Sequence, residues 1–154
     1  MNHLDLSDGK VENARAIIWR ETDGERHFLL TQEFSGTFTV PGGGKDLEDD
    51  DIEATMVREL FEELGLSPEQ YVAQRIDWSK EYENLYRDPR SERYQKNTII
   101  YPFLVRVASD VRLVLREGEI EGAVWVREDE ALLRLDGLPH MKEIFEIGLR
   151  NMPA

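Results

Sequence analysis

The residues best suited to chemistry in this sequence are three glutamates in one short segment, Glu59, Glu62 and Glu63. In a helix, which turns by about 100° per residue, positions i, i+3 and i+4 fall on one face. Like charges at this spacing destabilise an isolated helix by about 0.2–0.5 kcal/mol per pair, so the cluster calls for a positively charged partner. A divalent cation with oxygen ligands, such as Mg²⁺, is one such partner. A solvated acidic helix face is the alternative interpretation of these glutamates when they are considered alone.

A helix over residues 51–64 is predicted to position these glutamates. The acidic run at residues 49–51 suits a helix N-terminus, where one of its side chains is expected to form the N-cap. Gly65 is expected to end the helix. The glutamates would border the apolar stripe, so they are expected at the rim of the core, where electric fields are stronger than in water. The apolar residues that recur with helical spacing are Ile52, Met56, Val57, Leu60, Phe61 and Leu64.

The rest of the chain shows strand and helix patterns in alternation. Strands are predicted at residues 14–19, 28–31, 72–78, 98–107 and 123–126, with a turn at residues 21–24. Helices are predicted at residues 128–133 and 140–150. Pro41, followed by three glycines at residues 42–44, predicts a loop whose backbone bends sharply or approaches another group closely. Interleaved strands and helices favour an α/β layered fold.

Length and composition narrow the class of protein. The chain has 154 residues with 40% hydrophobic composition, which predicts a single domain over residues 1–154. The absence of cysteine leaves only oxygen ligands and the three histidines for a metal. A net charge of −13 argues against a nucleic-acid partner. No stretch resembles a membrane span or a secretory signal, so a cytoplasmic location without membrane contact is expected.

A longer pattern surrounds the glutamates. Gly44 is followed after five residues by Asp50, and after seven more by the run Arg58-Glu59-Leu60-Phe61-Glu62-Glu63-Leu64-Gly65-Leu66. This pattern closely resembles the Nudix box, G-x5-E-x7-R-E-U-x-E-E-x-G-U with U aliphatic, and eight of its nine specified positions match. Asp50 stands where the pattern has Glu, and Glu48 could substitute if the loop follows a different path. The resemblance to the Nudix family implies an α/β/α sandwich with a mixed, partly antiparallel sheet between helices.

The same resemblance implies roles for individual residues. Magnesium ions, with manganese as a substitute, would be bound by Glu59, Glu62 and Glu63, and by the backbone carbonyl of Gly43. Arg58 would pair with a carboxylate and hold its orientation, as its fork of N–H donors allows. A further glutamate is expected before the late Trp125, and Glu119 is chosen for it, while Glu117 and Glu121 remain alternatives. The general base would be Glu63 or Glu119.

A basic island interrupts the otherwise acidic chain at residues 86–96. Arginine forks suit phosphate oxygens and tyrosine rings suit a nucleobase, so this long loop between two strands is a candidate for substrate binding. The alternative is a solvated loop with incidental charge. The island consists of Arg87, Arg90, Arg93 and Lys96, with Tyr86 and Tyr94 between them.

The resemblance implies a metal-dependent hydrolase that cleaves the phosphoanhydride bond of a nucleoside diphosphate linked to another group. Water activated by the metal would attack phosphorus, and a glutamate would accept its proton. The alternative is a nucleotide-sensing or scaffold module on the same fold. A calcium-binding loop at residues 46–51 is a third interpretation, but it lacks the ligand spacing of an EF-hand.

The oligomeric state stays open, with a homodimer possible. A helix at residues 140–150 would place Met141, Ile144, Phe145 and Leu149 on one face. Such a face is more often part of the core than a dimer interface, and we expect core here.

Overall fold

The computed structural model describes residues 9–83, 85–86, 88–94, 96–118 and 120–154. The described part contains three α-helices, α1 (Ile52–Leu64), α2 (Glu128–Arg134) and α3 (Pro139–Arg150), and a short 3-10 helix at Pro68–Gln70. No helix within these ranges is both long and apolar enough to cross a membrane. The strands are β1 (Lys10–Thr22), β2 (Glu25–Gln32), β3 (Phe38–Thr39), β4 (Gly42–Gly44), β5 (Tyr71–Arg75), β6 (Lys80–Tyr82), β7 (Asn97–Val107) and β8 (Gly122–Val126).

The strands form one mixed sheet with β1 and β7 at its centre. The main order is β3-β2-β1-β7-β5, while β4 pairs with β1, β6 with β7 and β8 with β2. The long central pair β1 and β7 is parallel, and the other pairings are antiparallel. Helices cover both faces of this sheet, with α1 on one face and α2 and α3 on the other.

Alternation along β1 divides the core into two layers. Ala16 and Ile18 face α1 and pack with its buried residues, whereas Ile17 and Trp19 face α3. Because successive side chains of a strand point to opposite faces, one strand supplies both layers. The expected α/β/α sandwich with a mixed, partly antiparallel sheet is confirmed.

Helix α1 begins and ends close to the predicted residues. The Asp51 side chain accepts a hydrogen bond from the backbone N–H of Ala54 and forms the N-cap. Gly65 ends the helix in the left-handed conformation, with φ of 66°. The prediction that Phe61 belongs to the buried stripe is wrong, because its side chain is 61% exposed. Burial instead follows Ile52, Met56, Leu60 and Leu64, at every fourth residue.

The structure also corrects one predicted loop and one predicted strand, and it adds a strand that was not predicted. Gly42–Gly44 is a short strand paired with residues 13–15 of β1, although a loop was predicted. A Cβ on Gly42 would lie 2.0 Å from the carbonyl oxygen of Ala14, so the predicted close approach is present within a sheet pairing. The strand predicted at residues 72–78 ends at Arg75, and Lys80–Tyr82 forms a strand that was not predicted.

In α3, the predicted core assignment is confirmed for three of the four apolar residues. Met141, Ile144 and Phe145 are 4% exposed or less, and Phe145 packs edge-on against Phe28 at a centroid distance of 5.1 Å. Leu149 is partly buried against the same cluster. This face therefore serves the core of the chain.

Candidate active site

A cleft opens where strand β1 changes its pairing partner. Residues 19–22 of β1 pair with β2, and residues 13–15 pair with β4. The space beside this change is about 570 Å³ and is bounded by β1, β4, α1 and the segment from β2 to β3. Its lining residues are Arg15, Thr31, Glu33, Phe34, Ser35, Thr39, Gly42, Gly43, Glu59, Glu63, Tyr86, Arg93 and Ile120.

A slightly larger cavity of about 630 Å³ lies on the other side of the sheet, with Phe28, Leu132 and Leu149 in its wall. It contains none of the glutamates of α1, nor any residue of the basic island. Volume alone does not identify a site, whereas converging polar groups with shifted pKa values do. We therefore assign the candidate site to the cleft beside α1.

Glu63 is a buried carboxylate at the floor of this cleft. It is 9% exposed, and its Oε1 accepts a hydrogen bond from the backbone N–H of Gly42 at 3.2 Å. Burial, followed by the negative charge of Glu59, raises its pKa from 4.5 to about 8, while Arg15 opposes the rise. Among the described residues, no basic side chain comes within 4.0 Å of the Glu63 carboxylate. When ionised, the Glu63 carboxylate is therefore not neutralised by any cationic side chain of the described residues.

Glu59 lies beside Glu63, and its pKa is also raised, although it has a cationic partner. Burial raises the pKa of Glu59, an effect that the positive charge of Arg58 opposes. Its Oε1 accepts a hydrogen bond from Arg58 Nη1 at 3.0 Å. Within the described residues, the two neighbouring carboxyl groups thus have one cationic partner between them, and it contacts Glu59. We call Glu59 and Glu63 the glutamate pair.

Arg58 ties the loop before α1 to the helix. Its Nη2 donates to Asp49 Oδ2 at 3.0 Å and to the Gly44 carbonyl at 2.9 Å, and its Nε lies 3.4 Å from Asp46 Oδ2. Burial alone would raise the pKa of Asp49, but hydrogen bonds from Arg58, the Asp46 N–H and the Thr55 hydroxyl lower it below the usual value. The arginine therefore neutralises the acidic loop.

The acidic residue that supports this junction is Asp49. The box pattern points to Asp50, with Glu48 as the substitute, but both side chains are exposed at the surface. Asp49 is buried one residue earlier, and it bonds to Arg58 through both carboxylate oxygens. The loop thus reaches the helix with its register shifted by one residue from the pattern.

The glutamate pair fits a divalent cation. Two neighbouring carboxyl groups that disfavour each other's ionisation are stabilised when a cation binds between them, and oxygen donors suit Mg²⁺. Glu62 is oriented by Arg58, whose Nη1 donates to Glu62 Oε2 at 3.1 Å. In the part of the chain that is described, no three acidic or histidine side chains already converge into a metal cluster. The fit therefore rests on Glu59 and Glu63.

Gly43 lies against the glutamate pair. A Cβ at this position would fall 2.3 Å from Glu59 Oε1, so a side chain would collide with the carboxylate. Glycine therefore lets the backbone pass this close to Glu59 without displacing its carboxylate. The backbone of Gly43, which was predicted to bind the metal, therefore lies beside the glutamate pair, which was predicted to bind it through side chains.

The residues predicted to bind substrate are only partly brought to the cleft. Arg93 lines it together with Tyr86, over whose ring the guanidinium carbon lies at 5.1 Å from the centroid. Arg90 is 90% exposed and paired with Asp88 at 2.9 Å. Tyr94 and Lys96 are partly buried outside the lining.

Two predicted residues, Arg87 and Glu119, lie outside the described residues. Of the alternatives to Glu119, Glu117 and Glu121 are both exposed and absent from the lining of the cleft. Ile120 does line the cleft. The role of the additional glutamate therefore stays a prediction for Glu119.

Sequence reasoning did not single out Arg15, which lines the cleft from the middle of β1. Its positive charge acts on both members of the glutamate pair. The signal that could have found it is an arginine inside the apolar strand segment at residues 14–19, where a charge requires a partner. Phe34, 63% exposed at the mouth of the cleft, was also missed.

Comparison with known proteins gives a family and a fold. The family model described as NUDIX domain matches residues 10–146. The comparison with curated protein sequences gives no match.

Several solved structures are similar to the whole chain. The Ap4A hydrolase of C. elegans superposes with a TM-score of 0.69 at 20% identity, covering 92% of this chain and 97% of that chain. The dihydroneopterin triphosphate pyrophosphohydrolase of E. coli gives 0.72 at 15% identity, covering 92% and 96%. The MutT protein of Methanosarcina mazei Go1 gives 0.65 at 24% identity, covering 92% and 94%.

Proposed function

Since the chain belongs to the NUDIX domain family and is a Nudix hydrolase, we propose that it cleaves a phosphoanhydride bond in a nucleoside diphosphate linked to another group. The observation that carries the proposal is the glutamate pair. Two carboxyl groups, that of buried Glu63 and that of partly buried Glu59, meet at the floor of a cleft, and Glu63 has no cationic partner among the described residues. Neighbouring carboxyl groups of this kind destabilise the fold when they are ionised, and such arrangements are expected where a cation and a substrate bind.

The residues that would hold Mg²⁺, or Mn²⁺ in its place, are Glu59 and Glu63, with the backbone of Gly43 beside them and Glu62 and Glu119 as further ligands. When bound, the metal would lower the pKa of water and balance the charge of the phosphate oxygens. Arg58 orients Glu62 through its Nη1 and keeps the loop closed against α1 through Asp49. Binding of a cation would require Glu63 to lose its proton.

The protein's own carboxylates would carry out the proton transfer. Glu63 or Glu119 would accept the proton of the water that attacks phosphorus, and the P–O bond of the leaving phosphate would break with the electron pair going to that oxygen. Cleavage thus adds one water across one phosphoanhydride bond.

The wall of the cleft supports a nucleotide as the substrate. Tyr86 and Phe34 offer aromatic rings, and Arg93 offers a guanidinium whose Nε is buried without a hydrogen-bond partner among the described residues. Rings of this kind stack on a base, and an unpaired arginine suits phosphate oxygens. Arg90, Lys96, Tyr94 and Arg87 stay candidates for contacts with parts of the substrate beyond the cleft.

The test is phosphate release from a panel of compounds, coupled to a phosphatase. The panel would include nucleotide sugars, ADP ribose, Ap4A, dihydroneopterin triphosphate and nucleoside triphosphates, each with Mg²⁺, with Mn²⁺ and with chelator. Metal-dependent turnover of one class supports the proposal and identifies the substrate. Tight nucleotide binding with no turnover under any condition would instead favour a sensing or scaffold module.

A further inference from the structure

We infer that Arg15 contacts the diphosphate of the substrate from the β1 wall of the cleft, and that Asn13 and the Val40 carbonyl hold its guanidinium in position. The inference rests on the proposed function, and it adds a residue far from the box in sequence. It makes Arg15 a catalytic residue and Asn13 a positioning residue.

Arg15 is a partly buried charge on a central strand of the sheet, between two buried apolar residues. Its neighbours along β1, Ala14 and Ala16, are 0% and 1% exposed. Its Nε donates to Asn13 Oδ1 at 2.7 Å, and its Nη1 donates to the Val40 carbonyl at 2.8 Å. Both acceptors are neutral, so they orient the guanidinium and leave its positive charge uncompensated.

The natural partners for this charge are nearby but do not pair with it. Glu59 and Glu63 line the same cleft as Arg15. Among the described residues, however, no carboxylate oxygen lies within 4.0 Å of the Arg15 guanidinium, whereas Arg58 has four such partners. The hydrogen bonds to Asn13 and Val40 keep Arg15 away from the glutamate pair. A space bounded by a fixed cation on one side and two carboxylates on the other suits an anion that also binds a metal.

A diphosphate has the chemistry that fits this space. Two of the five N–H groups of Arg15 are used by Asn13 and Val40, which leaves donors on both terminal nitrogens for phosphate oxygens. As the leaving phosphate gains charge during cleavage, a donor fixed in advance stabilises it without reorganisation. Arg15 is therefore expected to act on kcat as well as on binding.

Asn13 offers a sharp test because its side chain has the shape of aspartate. It is 1% exposed and lies directly against Arg15. Asn13→Asp would put a carboxylate oxygen where the amide oxygen now accepts from Nε, so it would neutralise Arg15 with little change of shape. Arg15→Met removes the charge outright and keeps a side chain that fills space.

Arg20 provides a matched control on the same strand. It is half-buried in β1 and donates from Nη1 to the carbonyl of Ser109 at 3.2 Å, as Arg15 does to that of Val40. Its guanidinium lies over Trp125, 4.1 Å from the ring centroid, and Arg20 does not line the cleft. Arg20→Met therefore removes the same charge from the same strand outside the site.

The experiment measures binding of α,β-methylene-ADP by calorimetry in chelator and in Mg²⁺, together with kcat and KM on the substrate found by the panel. We expect Arg15→Met and Asn13→Asp to weaken analogue binding about tenfold or more, which corresponds to about 1.4 kcal/mol. We expect kcat to fall about 100-fold in Arg15→Met. Arg20→Met should bind and turn over like the wild type.

Thermal unfolding separates a structural role from a contact with substrate. If Arg15 only supports the backbone at Val40, Arg15→Met lowers Tm while folded Asn13→Asp binds the analogue normally, and the inference is overturned. Wild-type binding in both variants, or wild-type protein that does not bind the analogue in chelator, also overturns it. Absence of turnover by the wild type, with Arg15-dependent binding intact, would overturn the proposed function alone.

Discussion

Two carboxylates, one in the loop before the active-site helix and one in its last turn, are equally exposed to solvent and yet differ in their hydrogen-bond partners and in their pKa. Asp49 and Glu63 are each 9% exposed. Asp49 accepts hydrogen bonds from Arg58, Thr55 and the backbone of Asp46, and its pKa is lowered. Glu63 accepts one backbone hydrogen bond and faces Glu59, and its pKa is raised to about 8.

The difference shows that burial alone does not assign the role of an acidic residue, because burial acts to raise the pKa of both carboxyl groups and only the hydrogen bonds around Asp49 reverse that effect. Where protein donors satisfy the charged form, the carboxylate stabilises the fold. Where they do not, ionisation of the carboxyl group destabilises the fold, and a bound cation can offset that cost. Asp49 thus belongs to the architecture and Glu63 to the proposed chemistry, which gives three ways to test the comparison.

Replacement of Glu63 should have the largest effect on turnover. We expect Glu63→Gln to lower kcat by about 10²–10⁴-fold, because a neutral amide neither accepts the proton nor binds the cation as a carboxylate does. Steady-state kinetics in Mg²⁺ on the substrate from the panel would measure this, with circular dichroism to verify the fold. Near-normal turnover in a folded Glu63→Gln variant would remove Glu63 from the mechanism.

Replacement of Asp49 should have the largest effect on stability. We expect Asp49→Ala to lower the free energy of unfolding by about 2 kcal/mol, because Arg58, Thr55 and the Asp46 N–H lose a buried acceptor. Urea unfolding measures the change. Asp50→Ala is the matched control, and its exposed side chain predicts a change within about 0.5 kcal/mol. If Asp50→Ala were the more damaging of the two, the register of the loop described above would be wrong.

The smallest expected effect is a change in how stability depends on pH. Because the pKa of Glu63 is raised on folding, its favourable contribution is present below about pH 4.5 and is lost as pH rises towards 8. In chelator, Glu63→Gln should therefore gain stability relative to the wild type as pH rises from 4.5 to 8.

Asp49 should show the opposite dependence. Its lowered pKa gives stability that is present above its ordinary value of 3.8 and is lost as pH falls. Asp49→Asn should therefore flatten the acid side of the stability profile, and Glu63→Gln the alkaline side. Urea unfolding in chelator across this range would reveal both, and identical profiles for the two variants would contradict the comparison.

Local signals in the sequence were sufficient for the active-site helix. The predicted range 51–64 agrees with the observed Ile52–Leu64, and Asp51 and Gly65 form its caps as expected. A helix of this kind is specified by neighbours three and four residues apart, so a short window of sequence contains most of the information. Phe61 is the exception, because exposure depends on what packs over the helix.

Predictions that depended on distant residues succeeded less well. Gly42–Gly44 is a strand because β1 lies close beside it, and a glycine run does not reveal that partner. Of the basic island, Arg93 lines the cleft, but Arg90 points to solvent with Asp88. Arg15 is recognised as a residue of the cleft only in the structure, where β1, β4 and α1 lie around the same space.

By itself, the sequence determined the active-site helix and the set of glutamates on it, because those features follow from periodicity, caps and a fixed spacing within one segment. The family and the α/β/α sandwich followed from the resemblance that this spacing carries. Only the tertiary structure decided which acidic side chains are neutralised. Arg58 reaches Asp49 across nine positions of the chain, while Glu63 meets Gly42 across 21. A pKa depends on charges and donors that lie a few ångströms away in space. The number of residues between two groups along the chain does not reveal whether they lie that close.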